Sequence, residues 1–353
     1  MKDKAAHSGR YAVLFGGAGY EHSVSRLGAE NLISAAMRCG FDILPIFIDK
    51  NGDFYVYSGD ISDIADIENE LDNNELTPTF PIRLRGERGF FTRGRIMHVE
   101  LAVPLLHGDF GEDGRVQGLL ASAGIKFVGA DTLSGALASD KAYTKAVAES
   151  IGVPTLPYMT FTRGKDCIGD AVSSAARRIG YPAFVKPCGL GSSVGASCAM
   201  DGEGLLRSLE LAFAVSDRVI VERALMHPRE LECAYFDVGG THIVAHPAEI
   251  SVREGFYDYD TKYFNADNVT LHTVADLPQD IAIKIREYTE ALASALSVRH
   301  IARFDFFLSA GCELYFNEVN TFPGMTKTSL YSAMLDACGI PFESFIEKLL
   351  LDT

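Results

Sequence analysis

The sequence has no apolar run long enough to cross a bilayer or to act as an export signal. The run Tyr11–Phe15, behind the polar stretch Met1–Arg10, is far too short for either. A cytoplasmic protein with no membrane partner is the expectation. CxxC spacing is also missing: Cys39, Cys167, Cys188, Cys198, Cys233, Cys312 and Cys338 are scattered and odd in number. They read as reduced, mostly buried small residues, which argues against a disulfide scaffold or a zinc site. Positive charge is short as well, 32 Lys+Arg against 47 Asp+Glu, leaving a net charge of −15. Such a field repels nucleic acid and anionic lipid, so no nucleic-acid partner is expected and an anionic ligand would need a local basic pocket. Internal repeats and low-complexity tracts are absent.

What is present is a chain of 353 residues, 47% hydrophobic, which predicts a large core divided over two or three domains. Tyr11–Phe15, the amphipathic stretch Ser23–Cys39 and Ile43–Ile48 form a βαβ opening. Leu101–Leu106 is a further buried strand, followed by a glycine-rich loop and a helix over Val116–Ala123. An open α/β sheet presents ligands at the carboxyl ends of its strands, so Gly16–Glu21 and His107–Asp113 should line one crevice. From Asp131 two short helices lead into β-rich stretches, Ala183–Met200 and Val219–Ile250. Ser251–Pro278 has no periodicity and reads as a long loop, and Asp60–Glu75 as a solvated acidic insertion. The helix Gln279–Leu296, a hairpin about Ala310-Gly311 and two further helices complete the pattern.

Three segments carry chemistry. In Arg303-Phe304-Asp305 and Asn317-Glu318-Val319-Asn320, period-two spacing puts Glu318 and Asn320 on one strand face, with Asp305 in reach from the partner strand. Three hard oxygen ligands suit Mg2+, although a polar face of a solvated sheet would look the same. Lys186 ends an apolar run and precedes the Gly/Ser loop Gly189–Gly195, where backbone N–H groups can surround phosphate; the Walker A ending is missing. The loop Gly16–Glu21 imitates a dinucleotide fingerprint, but His22 stands where the third glycine belongs. Glu21 there could bind an ammonium group instead. His7, His22, His98, His227, His242, His246, His272 and His300 read as surface or satisfied polar residues, with His107 the exception.

Taken together, in order, these segments resemble the D-alanine–D-alanine ligase family of the ATP-grasp superfamily. The likeness runs through Gly16–Ser25, Leu106–Gly118, Ser139–Lys141, Lys186–Gly195, Phe256–Tyr263 and Asn317–Thr326, nearly the whole chain. It implies an α/β and α+β protein, an ATP-grasp fold behind an N-terminal open α/β domain. The implied division is 1–130 for the N-terminal substrate domain, 131–220 for the central subdomain with the phosphate loop, and 221–353 for the C-terminal subdomain with the metal site and a lid, 251–278. ATP would be held by Lys141 and Lys186 with Ser193 and Gly195 covering its phosphates. Glu222, Arg223 and Leu225 would surround adenine and Glu230 the ribose. Asp305, Glu318 and Asn320 would bind two Mg2+, with Mn2+ able to substitute. Glu21 would take the ammonium of a first D-alanine in a pocket with His107, joined by Ser192 and the lid residues Lys262 and Tyr263. Arg303 and Gly324 N–H would stabilise an oxyanion, and Ser329 and Leu330 the second carboxylate.

The implied activity is ATP-dependent joining of two D-alanines through an acyl phosphate, for peptidoglycan precursors, in a homodimer. Lys327, and the Asp49–Asp53 turn with Tyr55 and Tyr57, depart from the family pattern or are shared with D-serine-accepting relatives, so D-alanine–D-serine ligase is the nearest alternative. More distant ones are a biotin-type carboxylase, against which Glu21 and Lys262-Tyr263 argue, and a nucleotide-binding regulator, against which the intact metal set argues.

Overall fold

The computed structural model describes residues 9–64, 75–252 and 269–353. Three sheets organise them. The first has seven strands, in the order Arg95–Met97, Glu87–Thr92, Leu76–Leu84, Phe54–Tyr57, Asp42–Ile48, Arg10–Gly16, Leu101–Pro104. Arg10–Gly16 runs parallel to Asp42–Ile48 and to Leu101–Pro104, and the outer strands are antiparallel. Its residues from Tyr11 on are buried without alternation, the pattern of a strand covered on both faces. The helix His22–Arg38 covers one face and Arg115–Ser122 packs on the other. The loops after Arg10–Gly16 and Leu101–Pro104 therefore leave the same edge of the sheet side by side.

A four-stranded antiparallel sheet follows, ordered Ser197–Ala199, Ala183–Pro187, Arg218–Arg223, Tyr158–Thr162. The helices Ile168–Arg178 and Gly202–Val215 cover it through Ala171, Ala175, Leu205 and Leu209, which pack on Val185, Val219 and Val221. The third sheet centres on Arg229–Val238, with His300–Leu308 and then Leu314–Asn320 on one side, and Ala248–Val252, Val269–His272 and Thr241–Val244 on the other. The helices Lys141–Ser150 and Gln279–Ala295 cover one face, where Ala148, Ile285 and Leu292 meet Phe304, Phe306 and Phe316. On the opposite face Phe236 and Ile301 share a single apolar cluster with Tyr331 and Phe345 of the last two helices and with Phe15, Leu32 and Ile33 of the first sheet and its helix. That cluster locks the amino-terminal sheet against the third one.

Two expectations change. The loop expected over Ser251–Pro278 contains strand: Glu249 to Val252 pair with His272 to Val269. The strand Val269–His272 is only four residues long, too short to show a period. The lid residues Lys262 and Tyr263, and the aromatics Phe256, Tyr257 and Tyr259, lie outside the described residues. In the acidic insertion Ile64 is fully buried, so the segment is anchored at its start; 65–74 lie outside the described residues.

Candidate active site

Glu21 sits immediately before the helix His22–Arg38, in a loop held from below. Ser25 Oγ accepts the Gly16 N–H at 2.9 Å and donates to the Leu105 carbonyl at 2.5 Å. The His22 ring Nδ1 lies 2.6 Å from the Gly17 carbonyl, so His22 is a buried structural residue. The Glu21 carboxylate then meets the Gly/Ser loop Gly189–Gly195 of the second sheet: Ser192 Oγ donates to Glu21 Oε1 at 2.5 Å. Ser192 and Ser193 have φ values of 50° and 56°, a left-handed backbone that costs free energy in residues other than glycine and clusters at functional sites. A Cβ on Gly191 would lie 2.9 Å from Glu21 Oε2, so a larger residue there would push the Glu21 carboxylate aside.

Two buried lysines with different partners stand beside the Gly/Ser loop, Lys141 in the cleft wall and Lys186 on the second sheet. Lys141 Nζ donates to the Leu190 carbonyl at 2.7 Å and stands 3.2 Å from Glu318 Oε2. Lys186 Nζ lies 2.7 Å from Glu222 Oε2 and donates to Asn317 Oδ1 at 3.0 Å. Lys145, one helical turn beyond Lys141, takes the other Glu222 oxygen at 2.8 Å. Burial works to raise the Glu222 carboxyl, but Lys145 and Lys186 outweigh it and hold it at about 2. Both oxygens of Glu222 thus carry lysines, where the resemblance implies contact with adenine. Arg223 also differs: its guanidinium turns to the Ile179 carbonyl at 2.6 Å. Leu225 follows at the exit of the strand, half-buried. Gly195, with φ of 69°, packs its Cα against Pro187 and Val215, which tucks the end of the Gly/Ser loop onto the sheet.

The expected metal face is set by strand register. Asp305 pairs with Glu318 on one side and with Glu232 on the other, and a register shift between Asp305 and Phe306 leaves Asn317 as the extra residue. This lets Asn317 reach Lys186 while Glu318 reaches Lys141. Facing carboxylates repel, and Arg303, two residues from Asp305, compensates them. Its Nε and Nη2 grip the two Asp305 oxygens at 2.7 Å each, and Nε is 3.2 Å from Glu232 Oε1. Asn320 Nδ2 donates to Asp305 Oδ2 at 3.1 Å. Burial likewise works to raise Glu318, and Lys141 and Lys186 overcome it, holding it at about 2. Glu230 goes the other way, pushed up to about 7 by burial and then by Asp305, Glu232 and Glu318. Among the described residues no three His, Cys, Asp or Glu side chains form a ready metal cluster. The donor set is two carboxylates and an amide.

At the far end, Thr321–Gly324 leaves the third sheet and leads to Ser329, the residue before the helix Leu330–Ala337. Ser329 Oγ is 2.9 Å from Thr326 Oγ1, and a Cβ on Gly324 would lie 3.2 Å from it, so Gly324 and Ser329 face each other. Leu330 is buried at the first turn of that helix. His107 Nδ1 contacts the Phe322 carbonyl at 3.1 Å, tying the pocket loop to this segment.

One cleft collects Glu21, Lys141, Ser192, Arg303, Glu318 and Asn320. Glu112 lines it too, a residue the sequence reading passed over. Its carboxyl is pushed up to about 7 by burial, against backbone N–H groups of Gly108 and Phe322, with Glu21 adding repulsion. Lys145 and Glu232 were also missed. A lysine four residues after Lys141 shares its helix face, a signal that was available; Glu232 needed the strand register.

Residues 10–130 match the family model described as D-ala D-ala ligase N-terminus, and 147–351 the one described as D-ala D-ala ligase C-terminus. The chain is 35% identical over 360 residues to the D-alanine–D-alanine ligase of Ruminiclostridium cellulolyticum, covering 97% of this chain and 94% of the relative. It is 37% identical over 349 residues to that of Deinococcus radiodurans, covering 96% and 97%. Among solved structures it is similar to the VanG D-Ala:D-Ser ligase from Enterococcus faecalis, with a TM-score of 0.87, 33% identity, and 97% and 98% of the two chains covered. The D-alanine-D-alanine ligase from Coxiella burnetii is similar at a TM-score of 0.84 and 26% identity, covering 97% and 92%. The two facing antiparallel sheets with an amino-terminal α/β sheet are an ATP-grasp fold, and the chain belongs to the D-alanine–D-alanine ligase family.

Proposed function

We propose that the protein uses ATP to join two D-alanines, supplying D-alanyl-D-alanine for peptidoglycan precursors. The observation that carries this is the Glu21–Ser192 pair in the same cleft as Lys141, Arg303 and Glu318. A carboxylate there suits the ammonium of an amino acid, and the cations suit a phosphorylated carboxylate.

Asp305, Glu318 and Asn320 fit hard divalent cations that complete their shells with phosphate oxygens and water. Their negative charge is balanced by Arg303 and Lys141 at contact distance. When bound, Mg2+, or Mn2+ in its place, would neutralise charge on the phosphates. Lys141 and Lys186 hold those phosphates under Ser193 and Gly195. Lys186 is aimed by Glu222, and Glu230 faces the ribose hydroxyls; Arg223 and Leu225 border the adenine through the strand end rather than through the Arg223 guanidinium. Glu21 holds the ammonium of the first D-alanine so that the carboxylate of that D-alanine takes the terminal phosphoryl group as ADP leaves. The second amine then attacks the acyl carbon and phosphate departs. Arg303 and the Gly324 N–H oppose the negative charge of the tetrahedral oxygen, and Ser329 and Leu330 hold the second carboxylate. By the family resemblance, Lys262 and Tyr263 complete the first pocket with His107. Seven free cysteines and the need for ATP suit the cytoplasm, and a homodimer is the assembly we assign.

D-Serine as the second substrate is the other reading, favoured by the likeness to the VanG D-Ala:D-Ser ligase and by the exposed Lys327 two residues before Ser329. Phosphate release from ATP, measured with D-alanine alone and then with D-alanine plus D-serine, tests both. ATP turnover that is indifferent to D-alanine would end the proposal.

A further inference from the structure

The segment Thr321–Met325 leaves the third sheet, yet side chains of the amino-terminal region fix its position. Glu112 Oε1 accepts the Phe322 N–H at 2.9 Å, while Oε2 accepts the Gly108 N–H at 2.9 Å. His107, five residues earlier, contacts the Phe322 carbonyl at 3.1 Å. Asn31, on the helix His22–Arg38, donates Nδ2 to the Met325 carbonyl at 2.8 Å. Both main-chain polar groups of Phe322 and the carbonyl just past Gly324 are therefore tied to residues about 200 to 300 positions earlier in the chain, the Asn31 tie spanning 294. Phe322 and Met325 are buried, so the ends of the segment are also wedged in the core. Gly324 lies between the ties.

We infer that Glu112 and Asn31 are positioning residues for the second-substrate subsite: they hold Thr321–Met325 so that the Gly324 N–H, and Ser329 facing it, meet the incoming amino acid. This rests on the assignment of Gly324 and Ser329 made under the proposed function. The physical reason is geometric. A backbone donor stabilises a developing oxyanion only within hydrogen-bond distance, and displacement by a fraction of an ångström lowers the rate. Neither residue needs to touch substrate for this. The two Glu112 oxygens each accept a backbone N–H, and the Asn31 amide is on a backbone carbonyl. The same amino-terminal region carries Glu21, so the ties keep the first amino acid and the second-substrate donors in one frame.

Replacing Glu112 by Gln leaves one oxygen acceptor and sets an amide N–H against the other backbone donor, so one tie is lost. Asn31→Ala removes the Met325 tie without altering charge. The test is steady-state kinetics of the full-length wild type, Glu112→Gln and Asn31→Ala proteins, with the first- and second-site KM for D-alanine resolved. ADP binding by calorimetry and thermal unfolding are followed in parallel. The expected result in both variants is a second-site KM raised about tenfold, the scale of one buried hydrogen bond, with a lower kcat. First-site KM and ADP affinity should stay within about twofold. An unchanged second-site KM and kcat in folded Asn31→Ala overturns the proposal, and that variant decides alone if Glu112→Gln does not fold. A rise confined to the first-site KM in Glu112→Gln also overturns it, since Glu112 would then be a charge partner of the first ammonium. A wild-type protein that forms no dipeptide overturns the ligase reading itself and is recognised before any variant is compared.

Discussion

Lys145 and Glu222 form an ion pair closed off from solvent, Nζ to Oε1 2.8 Å, with side-chain exposures of 0% and 2%. Because the second Glu222 oxygen holds Lys186, this pair sets where the Lys186 ammonium stands. Lys145→Met leaves Glu222 paired with Lys186 alone and takes the partner from its other buried oxygen, which should cost about 2–3 kcal/mol of stability. Replacing Glu222 as well takes the charge partner from the buried Lys186, so the double variant should recover little of that stability and ATP binding should stay weak, because Lys186 has lost its guide. Urea unfolding and ADP calorimetry of the single and double variants check this. A single variant within about 1 kcal/mol of wild type contradicts the role given to the pair.

The carboxyls in the cleft pull stability in opposite directions with pH. Glu222 and Glu318 are held at about 2, below their ordinary value of 4.5, so their contribution is present above 4.5 and is lost as pH falls toward 2. For Glu222 this amounts to roughly 3 kcal/mol. Glu112 and Glu230 are raised to about 7. They bind protons more tightly in the folded state, so they favour folding below 4.5 and lose that contribution as pH rises through 7. Unfolding free energy measured across pH should fall steeply below about 4.5 and sag between about 5 and 7; a curve rising steadily from 5 to 8 would contradict the raised pair.

Glu318→Gln and Asp305→Asn each remove one negative charge from the face that Arg303 and Lys141 balance. Ligase activity should drop about 10²-fold or more at saturating Mg2+, with the fold retained by circular dichroism. Activity within a few-fold of wild type would remove these residues from the metal assignment.

Glu21→Gln should weaken the first D-alanine site by roughly 2–5 kcal/mol, since an ammonium in that pocket loses its charged partner. Ser192→Ala should cost less, about 1.5–3 kcal/mol, the scale of one hydrogen bond to a charged group. ADP affinity should be nearly unchanged in Glu21→Gln. Loss of nucleotide binding with D-alanine binding intact would make the Gly16 loop a nucleotide site.

Much of this was legible in the sequence where chemistry is local. The βαβ opening, the period-two placement of Glu318 and Asn320, and the Gly/Ser loop after Lys186 are patterns within short windows, whereas the four antiparallel strands between Phe54 and Met97 were not read from the sequence. Contacts between distant segments were legible only through the family resemblance, as with Glu21 and Ser192, which are 171 residues apart. What stayed hidden depends on register and on charge balance. Nothing in the strand Arg229–Val238 announces that Glu232 stands opposite Asp305, or that Arg303 must bridge the two. The two lysines on Glu222 come from another helix and another strand, and each looked like a separate cation. The hairpin Ala248–Val252 with Val269–His272 escaped because its second strand is too short to reveal alternation.

The central claim is the identity of the bond formed. The most direct measurement is incubation of the purified protein with ATP, Mg2+ and equal amounts of D-alanine, D-serine and D-lactate at neutral pH, with products counted by mass spectrometry and ADP by coupled assay. The account predicts D-alanyl-D-alanine as the main product, one ADP per peptide bond, and little depsipeptide. D-Alanyl-D-serine as the main product, or ADP formed without any dipeptide, would contradict it.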